Sequence, residues 1–264
     1  RSDRVLPMSH VEVTTSTAHD VLQIKTWLEE EEDAYLRGDG PQGFWCNVGI
    51  VETCHLEGDL LVARNKSGDT VGFAALGSNS IDILETRPDL RGTGCGKALA
   101  SHAIHALSGR GANSVWVDCT PSSSLRFWKR QGFQTVPYRE GRKCPAFLLI
   151  STHLDVPASA KKVSLEISAY AEGILHRLPV SALAQVEPDA YEAPKGSLFF
   201  RNRVVLDPEA LGLRNGQDLV LTISYAGREI GPTKAKYDQM KALGVEQDRF
   251  GVFYIDQIKL PDPK

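Results

Sequence analysis

The 264-residue chain predicts an α/β (α+β) protein, with a mixed, mostly antiparallel central sheet flanked by helices and then a smaller β-rich domain. Three observations carry that expectation. The alternating, β-branched run Ile81-Asp82-Ile83-Leu84-Glu85-Thr86 leads through a glycine cluster into a segment whose apolar residues repeat at helical spacing. Strand patterns precede that helix and resume after it, and strands joined through a crossover helix build a mixed sheet with helices on its faces. Beyond residue 160 strand patterns dominate again, with no second copy of the glycine cluster.

The elements follow in order. Residues 10–15 alternate as a first strand, and Thr17-Ala18-His19-Asp20 has the form of a capping box. It opens a helix carrying Val21, Ile24, Trp27, Leu28 and Tyr35, ended by Arg37-Gly38-Asp39-Gly40. Residues 60–64 and 70–76 are strands around a compact hairpin connection, 65–69. Pro88 closes the 81–86 strand. Ala98, Leu99, Ala103, Ile104, Ala106 and Leu107 then share one helical face, and Gly109 stops the helix. Residues 115–118, 133–136 and 146–150 supply the remaining strands of this half. In the second half, 163–170, 198–205, 219–225 after the turn-forming Asn215-Gly216, and 251–259 read as strands, and 233–243 reads as a short helix stopped by Gly244. The expected division is a first domain at 8–152, a Pro- and Ala-containing linker at 153–160 and a β-rich domain at 161–264, with 1–7, ahead of Met8, read as residues left by expression cloning.

Composition narrows the function classes. A net charge of -3 provides no general attraction for nucleic acid, and no run of about 18 apolar residues suggests a membrane span. Five cysteines include no Cys-x-x-Cys pair, and the seven histidines show no ligand spacing with them, so reduced thiols in a cytoplasm and no metal site are expected.

The glycine cluster Arg91-Gly92-Thr93-Gly94-Cys95-Gly96 lies at a strand-to-helix turn. There the first amides of a helix have no intrahelical acceptor and the helix dipole adds partial positive charge, so backbone atoms alone can hold a phosphate. The Walker pattern fails because Lys97 is followed by Ala98, and the dinucleotide pattern fails because Lys97 stands where its third glycine belongs. An ordinary tight turn is the other reading. Cys95 is open to two readings, a thiolate favoured by the helix N-terminus or a side chain whose backbone alone matters.

Together these residues resemble the GNAT superfamily of acyl-CoA N-acyltransferases. Its signature, Arg/Gln-x-x-Gly-x-Gly/Ala, is met by Arg91, Gly94 and Gly96. The segment Leu84-Glu85-Thr86-Arg87-Pro88 matches the family's preceding strand. Val115-Trp116-Val117-Asp118 and Phe127-Trp128-Lys129-Arg130-Gln131-Gly132-Phe133 match the strand and aromatic helix that follow, so the resemblance covers about residues 10–151.

The resemblance implies an N-acetyltransferase that moves an acetyl group from acetyl-CoA, a co-substrate, to an amine-bearing small molecule or peptide by direct attack. It implies pyrophosphate binding by Arg91, Gly92, Thr93, Gly94, Cys95, Gly96 and Lys97. Pantetheine pairing would fall to backbone groups of Leu84 and Thr86, exposed where two central strands splay. Glu85 or Asp118 would be the base, with Asp82 an earlier candidate on the other strand face. The family's usual acid is a tyrosine where Trp128 stands, and an indole donates a hydrogen bond without delivering a proton. Ser122, Ser123 and Ser124 replace a common asparagine, Tyr138 offers a phenol nearby, and Cys119 is an alternative acyl carrier.

Acidic residues 29–33 suit a cationic acceptor or form a solvated helix face. Trp27, Tyr35, Phe44 and Trp45 read as core or pocket wall, and 139–143 as a charged turn. Two other functions remain open: a non-catalytic acyl-CoA sensor or scaffold, and a binding or toxin module in the second domain. Homodimerisation is also left open.

Overall fold

The computed structural model describes residues 11–40, 43–136, 144–176, 180–193, 196–214 and 216–260. Tyr138, the charged turn at 139–143, Asn215 and the first seven residues lie outside them. Contacts divide the chain into two compact units. The first runs to Arg110 and adds Val115–Asp118 and Arg126–Gly132, and the second comprises Gly111–Ser114, Cys119–Leu125 and Phe133–Lys264.

The first unit is laid down as β1 (Glu12–Thr15), α1 (Ala18–Leu36), α2 (Val48–Glu57), β2 (Leu60–Arg64), β3 (Thr70–Leu76), β4 (Ser80–Thr86), α3 (Cys95–Gly109), most of β5 (Ser114–Asp118) and most of α4 (Leu125–Arg130). Strands β1 to β4 pair antiparallel in sequence order, and β4 and β5 pair parallel, so the sheet is mixed as expected. The expected edges at 60–64 and 70–76 are those observed. Helix α2 escaped the sequence reading because its apolar residues are spread around the helix rather than along one stripe; Gly58, in the left-handed region at φ 78°, ends it.

One side of this sheet packs on Ile24 and Leu28 of α1 and Val51 of α2, together with Leu60, Val62, Phe73 and Ile83. Trp27 meets Phe73 edge-on at 5.8 Å. Asp20 fixes α1 to the sheet. Its carboxylate closes the capping box with Thr17, takes the Nε (2.8 Å) and Nη2 of Arg64 on β2, and accepts the Thr70 hydroxyl of β3 at 2.7 Å. Burial alone would raise the Asp20 carboxyl, but its bonds to Arg64, Thr17 and Thr70 prevail and hold it well below the usual carboxylate range.

The second unit holds β6 (Gln134–Thr135), β7 (Pro145–Leu149), β8 (Lys161–Val163), β9 (Leu165–Ala171), β10 (Ala184–Val186), β11 (Ala190–Ala193), β12 (Ser197–Leu206), β13 (Leu219–Tyr225), β14 (Arg228–Lys234), α5 (Asp238–Leu243), β15 (Val245–Gln247) and β16 (Phe253–Lys259). Two antiparallel sheets, β10-β9-β13-β14 and β15-β16-β12-β11-β8, share a core built on Ile167, Leu198, Phe200, Leu221, Ile223 and Ile255. The β-rich expectation for this region therefore stands, with one correction. Residues 233–243 are not one helix, because Thr233 and Lys234 pair with Leu221 and Val220 as the end of β14, and only Asp238–Leu243 is helical. Gly244 does stop it, at φ 104°.

The contacts do not divide the chain at 153–160. Thr152 accepts the Arg203 amide at 2.9 Å, and Leu154 donates to Arg201 O at 2.8 Å. Within the same unit, Asn113 donates its amide and side-chain N–H to Asp248 Oδ2 (3.2 and 3.0 Å) and accepts from Arg203 Nη1 at 2.9 Å. The buried Ser114 hydroxyl donates to Asp207 at 2.6 Å. A chain ending at Leu154 keeps Asn113 and Ser114 but loses all of these partners, and each buried polar group left unpaired costs about 1–3 kcal/mol. The shortened chain is expected to unfold at clearly lower denaturant than the full chain, and equal midpoints would show that residues beyond 154 are dispensable for folding.

Asp20→Asn removes the charge that Arg64 and Thr70 bind, and should cost about 2 kcal/mol or more at neutral pH. Because the folded carboxyl titrates below its unfolded value, its stabilisation is present above about pH 4 and is lost as pH falls through the folded value. Urea unfolding of both proteins should show the deficit shrinking in acid. A deficit independent of pH would exclude the charge as its source.

Candidate functional site

Four segments of the first unit come together around the end of β4. The turn between β4 and α3 has Gly92 at φ 83° and Gly94 at φ 97°, conformations that side-chain-bearing residues rarely adopt. Gly94 is the N-cap of α3 and provides no side-chain cap, and the helix bonds begin with the Ala98 amide on Gly94 O at 3.0 Å. By helix geometry the amides of Cys95, Gly96 and Lys97 then have no intrahelical acceptor. Thr93 folds its hydroxyl onto Leu90 O at 2.7 Å, and the Lys97 side chain is exposed. A Cβ on Gly96 would meet Thr86 Oγ1 at 3.5 Å and Phe127 at 3.6 Å, ordinary contacts that suit the glycine-or-alanine signature place.

The cradle is drawn tight against the sheet. A Cβ on Gly72 of β3 would lie 2.9 Å from Glu85 O, 3.0 Å from Leu99 and 3.1 Å from Cys95 Sγ, so the missing side chain is what lets α3 start so close to β3 and β4. An isolated glycine inside a strand pattern was the available sequence signal, and it went unread. Cys95 itself is buried, and burial pushes its thiol up, partly offset by a bond to Thr86. The thiolate reading of Cys95 therefore fails, and only its backbone faces the turn's chemistry.

Parallel pairing between β4 and β5 is confined to Ser80 with Trp116 and Ile81 with Val117, beside a bond from the Trp116 amide to Asn79 O at 2.9 Å. Beyond that point the ladder parts, because β5 ends one residue later at Asp118 while β4 runs on to Thr86. The Arg87 amide donates to Val71 O at 3.0 Å, so by antiparallel alternation the backbone groups of Ile83, Glu85 and Arg87 face β3. Those of Leu84 and Thr86 turn to the parted edge.

The carboxylates separate clearly. Asp82 is exposed and takes the Ser80 hydroxyl, whereas Glu85 is buried on the opposite strand face. Glu85 Oε1 accepts the Thr86 amide and Arg91 Nη2, both at 3.0 Å, while Arg91 Nε reaches Thr86 O at 3.4 Å. Burial pushes the Glu85 carboxyl above the usual range against the pull of the Thr86 amide and Arg91, and the charge of Glu31 adds to the rise. Asp118 ends β5 exposed. The pairing of Arg91 with Glu85 had no local signature in the sequence, since a strand and an irregular turn set no fixed spacing between side chains.

Around this centre, Trp128 is buried edge-to-face on Phe127 at 5.0 Å. In the second unit, the Ser124 hydroxyl is buried with no hydrogen-bond partner among the described residues. On α1, Trp27 Nε1 donates to Glu31 at 2.7 Å, and both line a cleft with Glu30, Thr70, Arg87 and Asp89. Thus Glu30 and Glu31 of the acidic run line the cleft, although Glu30 is exposed like Glu29 and Asp33. Among the described residues no His, Cys, Asp or Glu group could hold a metal ion, and no helix is long and apolar enough to cross a membrane.

A peptidyl-lysine N-acetyltransferase, YjaB, of Salmonella typhimurium is 33% identical over 98 residues, spanning 36% of this chain and 66% of its own. Streptothricin acetyltransferase of Streptomyces lavendulae is 32% identical over 80 residues, 27% of this chain and 42% of its own. The chain thus spans less than two thirds of either relative. Among solved structures, a GCN5-related N-acetyltransferase from Rhodopseudomonas palustris aligns over 55% of this chain and 99% of its own at 22% identity and TM-score 0.43. The PaiA N-acetyltransferase of Thermoplasma acidophilum, solved with coenzyme A, aligns over 53% and 99% at 13% identity and TM-score 0.39. The acetyltransferase (GNAT) family model matches residues 22–133, the stretch that contains β4, the glycine turn and α3.

Proposed function

We propose that the protein transfers an acetyl group from acetyl-CoA to an amine. The observation that carries this reading is the early end of β4–β5 pairing at Ile81 and Val117 next to an uncapped helix N-terminus, which offers a strand edge and an anion cradle side by side. In this reading the amides of Cys95, Gly96 and Lys97, with Arg91, Gly92, Thr93 and Gly94, hold the pyrophosphate, and Leu84 and Thr86 pair with the pantetheine amides. The thioester then lies beside Glu85 and the end of β5.

Glu85 is the first choice of base, because burial holds its carboxyl above the usual range, nearer the pH at which it must both accept and release a proton. Asp118 is the second. The ammonium proton passes to the carboxylate directly or through water. The amine nitrogen bonds to the thioester carbonyl carbon, the C–S bond breaks, and the second proton that the nitrogen sheds on becoming an amide passes through water to the leaving thiolate, in place of the phenol that residue 128 lacks. Glu30, Glu31 and the wall of Trp27 support a cationic acceptor, either a small molecule or a peptide. A reducing, cytoplasmic setting belongs to this reading.

Acetyl-CoA should raise the melting temperature by mass action, since it binds only the folded protein. Gly94→Val forces a branched side chain into the left-handed region and should abolish the shift, whereas Gly96→Ala should retain it. A full shift in folded Gly94→Val protein would remove the cradle assignment. With a panel of amines, Glu85→Gln should lower turnover by about 10² or more while cofactor affinity survives. Full turnover in both Glu85→Gln and Asp118→Asn would place the base elsewhere. An acetyl-CoA-dependent shift without transfer to any amine would favour the sensor reading instead.

A further inference from the structure

Arg91 stands at the centre of two assignments that it cannot serve at once. Its guanidinium reaches back over β4, with Nη2 3.0 Å from Glu85 Oε1 and Nε 3.4 Å from Thr86 O. Glu85 is the carboxylate assigned to take the acceptor's proton, and the Thr86 carbonyl belongs to the parted edge assigned to the pantetheine. The same guanidinium is the first residue of the turn assigned to the pyrophosphate, whose remaining donors are backbone amides fixed in place. The two ends of the ion pair also differ in freedom. The Glu85 side chain is 9% exposed and held by the Thr86 amide as well, whereas that of Arg91 is 58% exposed and can swing away without opening the core.

We propose that Arg91 is a latch: it masks the base and the strand edge in the free protein and moves to the pyrophosphate when the cofactor binds, so that Glu85 is released only once the acyl donor is present. This inference rests on the proposed acetyl transfer. Its chemical logic is a competition between two anions for one planar fork, a carboxylate in the empty site and a diphosphate in the filled one. Because a carboxylate carrying an arginine is a poorer proton acceptor, the acceptor amine would meet a competent base only after cofactor binding. Once Arg91 leaves, burial and the charge of Glu31 act on Glu85 unopposed by the guanidinium, leaving the Thr86 amide as the remaining counterweight. Glu85 would then take up protons as the cofactor binds.

The test is a double-mutant cycle on coenzyme A binding, measured by calorimetry with the full chain, wild type, Glu85→Gln, Arg91→Gln and the double variant. If the two anions compete, Glu85→Gln should tighten coenzyme A by about two- to fivefold, the scale of one partly exposed ion pair. That gain should vanish in the Arg91→Gln background, where no fork remains to be shared. Simple repulsion between Glu85 and the phosphates would persist in both backgrounds, and equal gains would therefore overturn the latch. Unchanged or weakened binding in folded Glu85→Gln protein would overturn it as well. A second readout is independent of affinity. Titrations in buffers of different ionisation enthalpy near the Glu85 titration range should show proton uptake with wild type and none with Glu85→Gln, and absence of uptake in wild type counts against the latch. Coenzyme A binding without these signatures removes the latch and leaves the acyltransferase reading intact. No binding at all to wild type removes both.

Discussion

The site depends on how little β4 and β5 bond to each other. Parallel strands normally hold one another along their length, and here the ladder stops at Ile81 and Val117 while β4 runs on to Thr86. Everything assigned to cofactor chemistry lies in the unpaired stretch or just after it. The other edge of the stretch is paired with β3, and β3 in turn is tied to α1 through Thr70 and Asp20. An open strand edge inside a sheet is costly in backbone hydrogen bonds unless something satisfies them. Glu85 and Arg91 do part of that work, taking the Thr86 amide and carbonyl.

The second constraint is close approach. Gly72 removes one side chain from β3, and Gly92 and Gly94 supply backbone conformations closed to most residues. The result is a helix start pressed against the strand that precedes it, with its amides pointing into the turn and its cysteine turned into the core. The turn's shape is therefore written almost entirely in backbone, so the intervening side chains Thr93, Cys95 and Lys97 say little about what it binds.

Much of this was legible beforehand. The strands at 60–64, 70–76 and 219–225, the capping box at Thr17 and the helix at 95–109 all follow from local periodicity and punctuation, which act over a few residues. Among the elements missed were α2, apolar around its circumference, β14, which carries a proline and overlaps the expected helix, and β10, β11 and β15, each only three or four residues long. The association of Glu85 with Arg91, and of Asn113 and Ser114 with Asp248 and Asp207, was illegible because such pairs are set by tertiary packing. The same packing ties His153 and Leu154, at the start of the expected 153–160 linker, to Asn202 and Arg201 of β12.

Those distant partners set a schedule for the growing polypeptide. Asn113 bonds to Asp248 across 135 positions and Ser114 to Asp207 across 93. At about 5–20 residues per second, the start of β5 leaves the ribosome on the order of ten seconds before the groups that satisfy it. Throughout that interval the Asn113 amide and the Ser114 hydroxyl must stay wet. The stretch just ahead of β5 is thus made well before the groups that seal it, and nascent chains stalled between those two points would carry it exposed.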